Sequence, residues 1–243
     1  MAATVKTPPV DVLISSLFKV EEPCAKRMRV VYYLRSVAGQ AEDKGAQAIE
    51  ALATALRDHR NSPLMRHELA FVLGQIQSSL ACDVLEETLA DTSDDDMVRH
   101  ESAEALGAIG DARSLPLLDR CAAETCKEVS ETCVIAGDYV RWKLAGKASG
   151  DEEPMLCACM SPYNSVDPAP ADPNHTSLST EAVSALLTDH SLPLFDRYKA
   201  MFTLRNRGGD DAVRALGDAL TADTTSPLFR HEVAYVLGQL GKN

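Results

Sequence analysis

The stretch Ser62 to Ile76, SPLMRHELAFVLGQI, returns 164 positions later as Ser226 to Leu240, SPLFRHEVAYVLGQL, with eleven of fifteen positions identical. The other four exchange one apolar or aromatic residue for another. A third copy, Val98 to Ile109, lies 33 residues after the first and keeps Arg-His-Glu and Leu-Gly in register. A fixed period in this range is the signature of supersecondary units stacked side by side, each too small to bury its own apolar face. The repeat therefore constrains the fold first, and the His-Glu pair inside each copy needs a separate explanation.

Each full copy begins with a helix start: Ser as N-cap and Pro at the first helical position. Apolar residues at helical spacing predict further helices over Val10 to Lys19, Arg27 to Val37, Gly45 to Arg57, Leu80 to Leu89, Leu115 to Ala122 and Val129 to Leu144, with Met97 to Ile109 holding the third copy. Aromatic content of 5% beside abundant Ala and Leu suits close helix packing better than sheets. Four two-helix units of period 33, a HEAT-like pattern, fit before residue 145. Five prolines and the acidic run Asp151 to Glu153 break it over 146–179, which reads as a linker. From Thr180 the first half begins again, with Arg197 to Arg205 answering Arg27 to Arg35. The expected fold is all-α, a HEAT-like solenoid in two halves: 1–145, then 180–243. By the first half's spacing a fourth His-Glu pair would fall near position 264, beyond Asn243, so the second half is expected to be truncated. Val233, Val236, Leu237 and Leu240 would then form an uncovered apolar face.

A net charge of −12 argues against nucleic acid, whose phosphates need a basic surface, and favours a cationic substrate. No run of ~18 apolar residues is present to span a membrane. Met1 to Pro9 lacks the basic and apolar regions of a signal peptide, so the expected location is cytoplasmic. Seven cysteines without a framework spacing then read as reduced thiols, mostly small core residues. Cys157 and Cys159 form a lone C-x-C, a weak metal signal.

Neighbouring helix residues point ~100° apart, so a His and the Glu beside it do not easily chelate one ion together. They can serve two ions, or a ligand and its support. Ala and Gly follow each His at i+3 and i+7 (Ala70 and Gly74, Ala103 and Gly107, Ala234 and Gly238), leaving a bare strip. Either another backbone approaches there or the strip walls a cavity. Two readings remain open at this point. The pairs could be structural, with Arg66 or Arg99 bridging to Glu. Alternatively, stacking could bring His67 and His100 to one point, and imidazole with carboxylate is a ligand set for iron, manganese or zinc.

The copies at 66–74, 99–107 and 230–238 resemble the iron motifs of the deoxyhypusine hydroxylases, a HEAT-like di-iron family. Asn164 to Pro170 is similar to that family's linker, and Tyr198 to Asn206 to the opening of its second half. The resemblance runs from about Val10 to Leu240. It implies two Fe(2+) ions, with His67 and His100 on one and Glu232 reaching across to it. His231 and Glu68 would serve the second, and Glu101 would lie near the first as ligand or support. It implies an iron-dependent monooxygenase that uses dioxygen to hydroxylate the deoxyhypusine side chain of the precursor of eukaryotic translation initiation factor five A. No catalytic residue beyond the metal ligands is implied. With the fourth pair missing, the expectation is a weak or inactive hydroxylase. Two other classes are a HEAT-repeat interaction protein without catalysis and a relative of the HEAT-like bilin lyases.

Overall fold

Proline, serine and aspartate set the helix starts. A computed structural model describes residues 8–39, 42–149 and 161–241. Ser62 accepts a hydrogen bond from the Met65 amide at 3.3 Å, and Ser226 does the same for Phe229 at 2.9 Å. Asp95 caps the third copy through Met97, and Gly110, at φ 75°, closes it. Among the described residues there are twelve α-helices and no strands. They are α1 (Val10–Leu17), α2 (Cys24–Ala38), α3 (Glu42–Arg57), α4 (Pro63–Ile76), α5 (Cys82–Ala90), α6 (Asp96–Ile109), α7 (Leu115–Cys121), α8 (Lys127–Ser149), α9 (Thr180–Thr188), α10 (Leu194–Arg207), α11 (Gly209–Ala222) and α12 (Pro227–Leu240).

A buried arginine recurs at one place in this pattern. Arg27, Arg66, Arg99 and Arg197 each donate from Nε to the carbonyl oxygen of the leucine ten residues earlier, at 2.7 to 3.1 Å. Those leucines (Leu17, Leu56, Leu89 and Leu187) lie in the last turn of the preceding helix, where carbonyls lack an intrahelical partner. Arg27, Arg66 and Arg197 also reach on to the following turn: Arg27 to Asn61 at 2.6 Å, Arg66 to both oxygens of Asp94, and Arg197 to Asp223 at 2.7 Å. One side chain thus ties three consecutive pieces of chain together.

The contacts group into two compact units, Met1–Ser114 and Leu115–Asn243. In the first, Leu34, Leu52, Leu56, Leu69, Leu73 and Leu85 are fully buried, each contributing about 1.5–3 kcal/mol by leaving water. In the second, Ile135 and Tyr139 of α8 share one core with Phe195, Tyr198 and Phe202 of α10 and Phe229, Val233 and Val236 of α12. The units therefore divide at Ser114, whereas the sequence changes composition at 146–179. The second unit also includes residues 161–178. Ala169 is fully buried in its core, the Asp172 amide donates to Thr203 Oγ1 at 3.2 Å, and Arg207 donates to the carbonyls of His175 and Leu178.

The end of α12 departs from expectation. Val233 and Val236 are fully buried, and Leu237 and Leu240 pack partly against the same core. The side chains left exposed are His231, Ala234 and Tyr235. The core of the second unit takes up this apolar face. Cys82, Cys121 and Cys133 are buried, and Cys24 and Cys126 partly so. Cys157 and Cys159 lie outside the described residues.

Candidate metal centre

Helices α4 and α6 pack side by side, and the bare strip on α4 is what lets them approach. A methyl placed on Gly74 would lie 2.7 Å from the Cα of Ala105. Of the two explanations for the strip, close backbone approach holds at this position. At Gly238 nothing among the described residues lies within 4 Å of such a methyl.

With the backbones this close, the first two His-Glu pairs meet. The His67 and His100 rings stand 5.6 Å apart between centroids. His67 Nε2 lies 3.0 Å from Glu101 Oε2. Donor atoms of His67, His100 and Glu101 all fall within 4.8 Å of one another. His100 and Glu101 are adjacent in sequence, so their grouping goes against the expectation for neighbouring helix positions. A glutamate side chain is long enough to span the angle that separates the two Cβ directions.

Arg66 and Arg99 are both engaged at helix ends. Each sits one residue before its His and turns to the carbonyl of the preceding helix. Arg27 and Arg197 make the same anchor, yet Met28 and Tyr198 follow them. The arginine therefore belongs to the scaffold, and the His-Glu pair is an addition to it.

Burial alone would push the His67 imidazole down. The Glu101 carboxylate, by hydrogen bond and charge, and Glu68 nearby outweigh that and hold it above its ordinary value. His67 Nδ1 is buried with no hydrogen-bond partner and lies 4.0 Å from Glu68 Oε1. Glu68 Oε2 accepts a hydrogen bond from the Tyr32 hydroxyl at 3.1 Å. Tyr32 was not singled out from the sequence. Nothing in the repeat signalled it, because the second half has Phe202 at the corresponding place.

These residues fit a divalent transition metal. Two imidazoles and a carboxylate form a mixed nitrogen and oxygen donor set. Their donor atoms already fall within 4.8 Å of one another, and His67 Nδ1 is buried with no hydrogen-bond partner. A second group, His59, Asp91 and Asp94, has similar donor spacing. Asp94 there is already held by the Arg66 guanidinium at both oxygens, so this group is an ion-pair cluster. In the second unit His231 is exposed on α12 and Glu232 is buried.

Comparison with known proteins agrees with the geometry. Residues 49–136 match the HEAT repeats family. Deoxyhypusine hydroxylase from Gallus gallus is 44% identical over 225 residues, covering 93% of this chain and 68% of that protein. The Dictyostelium discoideum protein of the same name is 42% identical, covering 95% and 68%. The structure of human deoxyhypusine hydroxylase in complex with glycerol superposes with a TM-score of 0.81 at 40% identity, covering 95% of this chain and 73% of that one. The chain spans about two thirds of the length of the curated relatives it matches, from 66% to 70%. Repeat, anchors, paired donors and sequence identity lead to one assignment: this chain belongs to the deoxyhypusine hydroxylase family.

Proposed function

We propose that the protein is an iron-dependent monooxygenase that hydroxylates the deoxyhypusine side chain of the precursor of eukaryotic translation initiation factor five A, in the cytoplasm. The observation that carries this reading is the convergence of His67, His100 and Glu101 in a member of a family named for that hydroxylation. His67, His100 and Glu101 would hold one Fe(2+), with Glu68 beside them, and His231 and Glu232 are the ligands offered by the second half. Bound ferrous iron would supply the activation of dioxygen that an unactivated C–H bond requires.

The protein's own part is placement and polarity. The arginine anchors fix the rotation of α4 and α6, so both imidazoles are held before any ion arrives. Burial of His100 and Glu101 keeps their donors away from bulk water. The acidic chain attracts a side chain bearing ammonium groups.

The test is iron per chain together with product mass. Anaerobic loading with ferrous ion should give bound iron that His100→Ala largely loses and His59→Ala retains. Incubation with the deoxyhypusine-bearing factor and oxygen should add one oxygen atom to it. Equal iron in the two variants would overturn the ligand assignment. Iron without product would leave a metal-binding HEAT protein that is not a hydroxylase.

A further inference from the structure

We infer that Tyr32 is a positioning residue for Glu68, setting which carboxylate oxygen faces the metal centre. The inference rests on the iron reading above. Tyr32 reaches from α2 to α4, 36 residues along the chain, and its hydroxyl donates to Glu68 Oε2 at 3.1 Å. Tyr32 is 42% exposed, so the contact is not a by-product of core packing. Its direction is fixed by the helix face below it, since Val31 and Leu34 are fully buried. The two oxygens of Glu68 consequently differ. Oε2 is engaged by the phenol, while Oε1 is the one near His67 Nδ1, at 4.0 Å.

A carboxylate with one oxygen tied to a hydrogen-bond donor is held in one orientation and binds an ion through the other oxygen. Without the donor, both oxygens compete for the ion and the side chain regains its rotation. Tyr32 thus selects single-oxygen ligation by Glu68. The chain also provides a steric control. Phe202 occupies the corresponding place in the second half and is fully buried, so this repeat position accommodates a ring without a hydroxyl.

The experiment compares Tyr32→Phe with Tyr33→Phe, a neighbour on another face of α2. Anaerobic ferrous titration should show about tenfold weaker binding for Tyr32→Phe and wild-type binding for Tyr33→Phe. The thermal midpoint of the metal-free protein should be unchanged in both. Infrared difference spectra of the metal-free protein should show a shifted carboxylate band for Tyr32→Phe that disappears in a Glu68→Gln background. In that background Tyr32→Phe should no longer affect ferrous binding. Wild-type iron affinity in Tyr32→Phe, with no band shift, would overturn this inference alone. A wild-type chain that binds no ferrous ion would overturn the iron reading and this inference with it.

Discussion

Arg205, fully buried, grips Asp167 by both carboxylate oxygens, at 2.7 and 2.5 Å. The same guanidinium donates to Ser161 Oγ, Gln239 Oε1 and Asn206 Oδ1. It also lies over the rings of Tyr163 and Phe202 at 4.6 and 4.7 Å. A single cation thereby fastens residues 161–167 to α10 and α12. Replacing Arg205 by Ala leaves a carboxylate and three polar groups without their donor, and should cost about 3–5 kcal/mol. Denaturant unfolding should register that loss, and limited proteolysis should begin to cut within 161–178. Lys, which cannot fork, should fall between Arg and Ala.

Gly74 and Gly238 hold the same place in the repeat but should respond in opposite directions to Ala. At Gly74 the new methyl would meet the Ala105 backbone, which cannot give way as a flexible side chain could. Overpacking there should destabilise by about 1–3 kcal/mol. At Gly238 the methyl enters open space, and the gain in helix propensity is about 0.8–1 kcal/mol. Paired urea melts of the two variants check both signs.

Acid should loosen the second unit through Asp223. Burial pushes its carboxyl up. The Arg197 guanidinium and the amides of Ser226 and Thr225 outweigh this and hold it well below the usual carboxylate range. A depressed folded-state value means the stabilisation is present above the unfolded value of about 3.9 and is lost as pH falls below it. Asp223→Asn should lower stability at neutral pH by roughly 2 kcal/mol. It should also flatten the fall in stability between pH 4 and lower values, as read by denaturant midpoints across that range.

The helices and the first two donor pairs were legible because both follow a period. Once His67 and His100 are placed 33 residues apart in a stacked array, their meeting follows from geometry. The arginine anchor was also periodic, but the sequence does not say where a guanidinium points. Arg66 and Arg99 could have bridged to glutamate until the carbonyls of Leu56 and Leu89 claimed them. The segment after Ser161 was opaque for a different reason. Prolines exclude a helix, yet they do not reveal a strap held by Asp167, because its partner Arg205 reads as an ordinary polar residue near a helix end. Tyr32 was hidden by being unrepeated: its hydroxyl has no counterpart in Phe202.

The interval from leucine carbonyl to arginine is ten residues in every anchor, and it spans the turn between two helices. An imidazole placed one residue beyond the anchor is aimed by that interval, since each added helical residue turns the next side chain by ~100°. Length changes consequently fall into two kinds. One extra residue between Leu56 and Arg66 would either break the anchor or swing His67 away from His100. The same insertion in the turn between α5 and α6 faces the same penalty through Leu89 and Arg99, whereas one between α4 and α5 lies outside any anchored interval. Loop-length tolerance in this protein is therefore set by the arginine-to-carbonyl bonds, and distance from the imidazoles is a poor guide to it.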